Sequence, residues 1–342
     1  MYRMWTAVVG LVVTLLLSSP ASASCLTFSG QNERLANFCL LESITGKLVD
    51  ERTAFIVTQR LKQEGYFGGL SGPRSDTAIY PTMFYSNNIN GGNPDKNLVI
   101  GDLEFEGDPT LVATEGMILG ANAKASFRNT FSEGRYLDAS LNAALNWSPN
   151  HRDIYATGRI AGCFRNKFQK AGYVDFCFER SEQKKDISSD RSESISFNFG
   201  QLGFANSFGF TDTSVGFKRK LQSGYQEDQA SLQLQTIHLK SMFSSVRIRM
   251  GERVQNQMTL KYGLDVRLST TLAGRPVTLA LGHERNGGGK LLGMDRADTV
   301  NRISASMPLN NKLSVSVGYQ ETRSSIQYFS RKEPSLSLTL SW

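Results

Sequence analysis

The sharpest candidate for covalent chemistry in this 342-residue sequence is Gly282-His283-Glu284-Arg285-Asn286-Gly287, a histidine at the end of an alternating segment with a turn behind it. A histidine in that setting could activate a serine for attack on an acyl ester, provided the hydroxyl stands within hydrogen-bond reach. The run itself holds no serine; Arg285, two residues after His283, carries a guanidinium, which cannot attack an ester. His151 and His238 have no serine in a comparable motif. His283 therefore reads as an interfacial residue leading into a flexible loop, and no catalytic activity is expected. Three His and four Cys without clustered spacing also make a metal site unexpected, and no cofactor is expected.

The four cysteines take their chemistry from the start of the chain. Arg3, an apolar stretch from Ala7 to Leu17 and Ala21-Ser22-Ala23 make residues 1–23 a secretory signal peptide. Its apolar core of about 11 residues is short of the ~20 a spanning helix needs. Cys25 lacks the Leu-type residue three positions earlier that a lipidated cysteine would have. Export places the thiols in an oxidising compartment, so their spacing reads as a disulfide framework. Local pairing is expected: Cys25 with Cys39, and Cys163 with Cys177 across a polar turn running from Asn166 to Gly172. The sequence has no Cys-x-x-Cys, so a redox-active role is not expected.

A third set of candidates is a row of charges at alternate positions: Arg159, Arg247, Arg249, Lys261, Asp265, Arg267 and Arg302. On the wet wall of a pore they could set selectivity, with the excess of Arg favouring anions. They could equally pair with one another in a water-filled interior. Lys and Arg together number 38 against 31 Asp and Glu. The basic residues alternate along strands without forming a continuous patch, so no nucleic-acid partner is expected.

Such charges need strands with one wet face. From about residue 112 onward, segments of roughly ten residues alternate apolar and polar character, the period of a strand with two different faces. Leu137, Ala139, Leu141, Ala143, Leu145 and Trp147 share one face, opposite Asp138, Ser140, Asn142 and Asn146. Leu260, Tyr262, Leu264, Val266 and Leu268 repeat the pattern opposite Thr259, Lys261, Gly263, Asp265 and Arg267. A soluble sandwich and a transmembrane barrel both satisfy such strands. The barrel is favoured by aromatics at strand ends (Phe127, Trp147, Phe164, Phe217, Tyr319). It is favoured also by short turns such as Pro308 to Asn311 alternating with a long glycine-rich loop from Asn286 to Asp298. The last strand places Leu336, Leu338, Leu340 and Trp342 on one face and ends the sequence on an aromatic, in the manner of the assembly signal of bacterial outer-membrane barrels.

Strands are predicted near 112–128, 134–148, 152–165, 171–182, 191–204, 206–219, 227–241, 243–254, 257–270, 274–286, 297–307, 311–322 and 333–342. A single-chain bacterial barrel has an even number, so 77–106 supplies one more, with Thr77 to Ser86 favoured over Asn97 to Phe105. The expected fold is all-β: a 14-stranded antiparallel transmembrane β-barrel over residues 76–342, preceded by a short N-terminal helical segment over 24–75. In that segment Asp50 caps a helix through Glu64 that stops at Gly65, and a shorter amphipathic stretch spans Asn32 to Ser43. A disulfide-tied helical cap on the periplasmic side is expected, with a plug inside the lumen as the competing reading. On this register Cys163 and Cys177 share the lumen phase with Arg159, Arg165, Asp175 and Glu179, beside a periplasmic turn.

The run Pro81 to Gly92, including Asn88-Ile89-Asn90-Gly91-Gly92, with Ile100 to Phe105, Glu115-Gly116-Met117, Gly134 to Asp138 and Asn146 to Asn150, resembles the C-terminal barrel of surface lipoprotein assembly modifier proteins. The resemblance implies a fourteen-stranded barrel that helps lipoproteins reach the cell surface, usually preceded by a tetratricopeptide-repeat domain that engages the client. Residues 24–75 have room for at most about one 34-residue helical pair. The Gly282–Gly287 stretch resembles the His-x-Ser-Asn-Gly motif of outer-membrane phospholipase A, without its serine. The implied location is the outer membrane of a Gram-negative bacterium. The implied partners are outer-membrane lipids, the barrel assembly machinery and an exported lipoprotein client, with a general or weakly anion-selective porin-like channel as the alternative function.

Overall fold

A computed structural model describes residues 25–340 apart from 48, 71, 94–95, 101–102, 107, 169–170, 206–207, 223, 240, 273, 292 and 311. The signal-peptide residues and Trp342 lie outside the described residues. In chain order the elements are α1 (Glu33–Thr45), α2 (Glu51–Gln63), β1 (Arg74–Ser86), β2 (Asn97–Ile100), β3 (Leu103–Glu106), β4 (Gly116–Ser132), β5 (Arg135–Trp147), β6 (Ile154–Phe168), β7 (Gly172–Lys184) and β8 (Ser189–Ala205). They continue with β9 (Gly209–Gln222), β10 (Tyr225–His238), β11 (Met242–Gly251), β12 (Thr259–Leu272), β13 (Arg275–Leu291), β14 (Met294–Pro308), β15 (Leu313–Ser324) and β16 (Arg331–Leu340).

Fourteen strands, β1 and β4 to β16, form a closed antiparallel barrel, while β2 and β3 pair only with each other. From β4 to β16 consecutive strands are joined by hairpins. Closure is made by β1, which pairs along its length with β4 and at Thr82, Met83 and Phe84 with Thr339, Leu338 and Ser337 of β16. The period-two pattern is the cause of the wall's two faces. Leu145 is 60% exposed on the outside while its neighbour Asn146 is 4% exposed on the inside. Outward apolar residues recur on every side, among them Leu232 and Leu234 on β10 and Val246, Ile248 and Met250 on β11. A soluble sandwich would have packed these faces together, so the closed barrel removes that reading.

One mouth of the barrel, here the near mouth, carries the turns after β4, β6, β8, β10, β12 and β14, together with the helical segment that leads into β1. The turn between β4 and β5 is only Glu133-Gly134, and Gly134 takes the left-handed conformation (φ 71°) that such a tight connection needs. The distal mouth carries the remaining connections, including the long segment between β1 and β4. The expected long loop from Asn286 to Asp298 is not a loop. β13 runs on to Leu291 and β14 starts at Met294. A bulge between Gly287 and Gly289 absorbs the irregularity, and Gly288 at φ 98° lets the ladder continue past it.

Candidate functional site

At the near mouth the helical segment enters the barrel, so the competing plug reading holds in place of the cap. Asn32 caps α1 by accepting a hydrogen bond from the Leu35 amide at 2.9 Å, and Asp50 caps α2 by accepting from Thr53 at 2.8 Å. Every residue of α1 from Arg34 to Leu40 is buried, the signature of a helix surrounded on all sides. Phe28, Leu35, Phe38 and Leu40 join Val57 and Leu61 of α2 and merge with Tyr173, Phe210, Ile237 and Phe243 of the inner wall. The Cys25–Cys39 disulfide ties the start of the segment to α1.

Polar ties then orient the plug. Arg34 forks onto Asp175, donating at 2.9 and 2.6 Å, and lies over the Tyr173 ring at 3.7 Å. Burial pushes the Arg34 pKa down, but the Asp175 carboxylate outweighs it and the net direction is up. Asn32 donates to Asp212 at 2.7 Å. Arg128 of the wall gathers three acids: Glu33 of α1 and Glu64 at the end of α2, both plug residues, and Asp138 of β5. Burial pushes Glu33 up, yet the Arg128 guanidinium holds its carboxyl below the ordinary value. Glu64 goes the other way, raised by burial and then by the Glu33 charge. At its exit the chain is stitched to the first near-mouth turn: Gly134 donates to the Gly65 carbonyl, and the Gly68 and Gly69 amides donate to the Glu133 carboxylate.

Inside the barrel all the arginines anticipated there face the lumen. Arg159 pairs with Glu179 at 2.8 Å. Arg249 pairs with both Asp265 (2.9 Å) and Glu284 (2.6 Å), and Arg302 forks onto Glu284. Arg247 and Arg267 meet only neutral amide oxygens among their described hydrogen bonds, those of Gln233 and Gln31. Lys261 is an irregular case, because the register shifts between Leu260 and Tyr262 and makes it the extra residue of a bulge. Two cavities of about 600 and 620 Å³ lie against the inner side of the plug, and a third of about 590 Å³ is lined by Tyr80, Lys124, Arg159 and Tyr225. The second disulfide, Cys163–Cys177, joins directly opposite residues of β6 and β7 and lines one of these cavities.

The distal mouth is narrowed by a segment that the sequence marked without assigning it a place. Asn88-Ile89-Asn90-Gly91-Gly92 folds inward, and Ile89 is fully buried against the inward residues Phe84, Ile118 and Tyr155. The buried Asn90 side chain donates to the Val112 carbonyl and accepts from the Gly92 and Thr114 amides. Across the mouth Ile187 donates to the Asn90 carbonyl and Lys185 to that of Asn88. The glycines permit the close approach: a Cβ on Gly92 would lie 2.6 Å from the Val112 backbone.

The remaining candidates sit on the outside. His283 faces outward, its Nδ1 2.7 Å from the Asn301 amide oxygen and its ring beside Tyr262. The β10–β11 ladder brings Ser244 within 2.8 Å of His238 Nε2, a contact between strands that spacing alone did not reveal. Leu336 and Leu340 are exposed on β16, with Leu338 between them in the same phase.

No family model matches the sequence, and no curated protein matches it. Among solved structures, the chain is similar to Pseudomonas putida OprB in its high-pH structure, with 8% identity over 78% of this chain and 94% of that one and a TM-score of 0.45. It is similar also to the outer membrane protein opdK of Pseudomonas aeruginosa (7% identity, 79% and 99% covered, TM-score 0.42) and to Acinetobacter baumannii OccAB3 (7%, 79% and 99%, TM-score 0.40). The barrel itself rests on its own closed ladder of strand pairs.

Proposed function

We propose that the protein is an outer-membrane channel for small solutes, closed at its near, periplasmic mouth by the α1–α2 plug and narrowed at its extracellular mouth by the Asn88–Gly92 loop. The observation that carries this reading is the lumen between the two: charged, and hollow to about 600 Å³ on the inner side of the plug. An apolar outer wall suits hydrocarbon and a charged inner wall suits water. The wall does its work by binding and excluding ions, with no covalent step. The outward leucines of β16 would present the strand that barrel assembly machinery recognises. The lipoprotein-client reading rests on the family resemblance alone.

Reconstitution of the purified full chain into planar bilayers tests the proposal. Low-conductance events with a reversal potential favouring chloride over potassium are expected, together with the mature protein in the outer-membrane fraction. A deletion strain should lose uptake of a small anion while its surface lipoproteins remain accessible to added protease. An ion-tight barrel, combined with loss of surface lipoproteins on deletion, would reverse the assignment in favour of translocation.

A further inference from the structure

We propose that Arg247 and Arg267 form a binding site for a small organic anion bearing carboxylate or phosphate groups, and that Gln31 of the plug competes with that anion for Arg267; the route by which the anion arrives rests on the channel reading above. The argument starts from charge pairing on the wall from β11 to β14. Apart from the Arg296–Asp298 pair toward the distal rim, which satisfies itself, four lumen-side guanidiniums there (Arg247, Arg249, Arg267, Arg302) face two carboxylates, Asp265 and Glu284. Arg249 and Arg302 engage both acids between them. Arg247 is left donating to the Gln233 amide oxygen at 3.0 Å, and Arg267 to that of Gln31 at 3.3 Å. An amide satisfies a donor without neutralising its charge. A guanidinium fork bonds an oxyanion about twice as strongly as neutral partners bond one another.

The register makes the two cations neighbours. Arg247 stands opposite Asp265 and Arg267 opposite Ser245, so the pair lies on one diagonal of the β11–β12 ladder. Diagonal neighbours are about 7–8 Å apart, within reach of long side chains. Both line the cavity of about 620 Å³ against the plug, a volume that suits a small molecule. The cavity also holds four acids, and three are engaged by cations: Asp175 by Arg34 and Arg165, Glu33 by Arg128, and Asp265 by Arg249. The fourth, Asp212, meets the neutral Tyr173 hydroxyl and Asn32 amide, which leaves two guanidiniums against one carboxylate. An incoming oxyanion therefore finds two guanidiniums free to exchange an amide for a charge.

Gln31 links the site to the plug. Its amide oxygen accepts from Arg267 while its nitrogen donates to Thr278 at 3.4 Å. An anion that takes over Arg267 displaces the first of these contacts, so occupancy loosens one tether between plug and wall. By linkage, loosening that tether must in turn favour the anion.

Isothermal titration of the purified full chain in micelles tests the site, with succinate and inorganic phosphate as probes and glucose as the neutral control. Saturable binding of succinate or phosphate but not glucose is expected, and the stronger of the two identifies a dicarboxylate or a phosphate ligand. Arg247→Gln and Arg267→Gln should each weaken binding at least tenfold, Arg267→Lys by less, and Arg219→Gln, which removes the partner of Asp228 away from this cavity, should leave it unchanged. Gln31→Ala should tighten binding severalfold, which a purely structural role for Gln31 would not produce. Heat-modifiable gel mobility confirms the barrel in each variant, and if a glutamine variant fails to fold, Arg267→Lys carries the test. Absence of binding, or binding that ignores Arg247 and Arg267, overturns the proposal. Arginine-dependent binding in a barrel that conducts no ions would sustain the site and overturn the channel.

Discussion

Replacing Arg34 by methionine keeps the aliphatic volume of the side chain and removes its charge from a place where both partners are sealed from water. The Arg34 and Asp175 side chains are each only 7% exposed, and two short hydrogen bonds join them. Removing one member of a buried pair leaves the other charge uncompensated and costs about 3–5 kcal/mol. Here Asp175 retains Arg165, whose guanidinium stands 3.5 Å away at the limit of an ion pair, so the lower end, about 3 kcal/mol, applies. At about 1.4 kcal/mol per factor of ten, the equilibrium between seated and unseated plug should shift roughly a hundredfold. Hydrogen exchange read by mass spectrometry over Glu33–Thr45 should then be about a hundredfold faster in Arg34→Met. The strand ladders should exchange as before, and bilayer conductance should rise. The double variant Arg34→Met, Asp175→Asn removes both charges and should recover most of the protection. Unchanged exchange in the single variant, or a double variant less protected than the single, would refute the claim that this pair seats the plug.

Other perturbations address the remaining ties. Gly92→Ala forces a methyl group against the Val112 backbone at 2.6 Å and should cost about 1–3 kcal/mol of overpacking, visible as a loosened 87–93 segment in exchange and a wider distal mouth in conductance. Joint replacement of Cys163 and Cys177 by serine opens a loop worth roughly 3 kcal/mol in the chain-entropy model; the barrel should still insert and should lose its heat-modifiable mobility at a lower temperature. The response of the plug to acid follows from Glu33 and Glu64. Glu33 is held below the ordinary carboxylate value of 4.5 by Arg128, so its contribution is complete above that value and lost as pH falls through its own lower pKa. Glu64 is raised and takes its proton first, which relieves repulsion with Glu33 and leaves the Glu33–Arg128 bond intact. Exchange in α1, corrected for its intrinsic pH dependence, should therefore not rise as pH falls from neutral to the ordinary carboxylate value of 4.5 and should rise only below it; a rise at higher pH would contradict this order of protonation.

Much of the protein was legible in its sequence because the controlling physics is local. A strand with one wet face writes its period into consecutive residues. The boundaries of β4 to β16, the end of β13 apart, accordingly fall within a few residues of the expected ones, and Arg159, Cys163, Asp175, Cys177 and Glu179 lie in the lumen phase as alternation required. The Asp50 cap and the stop at Gly65 are equally local, each acting through the backbone of neighbouring residues. Hairpin geometry made the Cys163–Cys177 bond readable, since pairing across a turn follows from counting outward from its centre. Only the tertiary structure decided what depends on residues distant in the chain. Arg34 meets Asp175 across 141 positions, and Gln31 meets Arg267 across 236. The choice between cap and plug turned on whether an apolar helix could find apolar wall residues at the same depth on β7 to β11, and no local pattern records depth. The Asn88–Gly92 run turned inward because Phe84, Ile118 and Tyr155, on three different strands, left an apolar pocket at the distal rim. The glycines from Gly287 to Gly289 read as a loop, but once the partner strand supplied hydrogen bonds they became a bulge within a ladder. Which lumen arginines are neutralised and which remain free was settled last, by the stagger of one strand against the next around a closed wall.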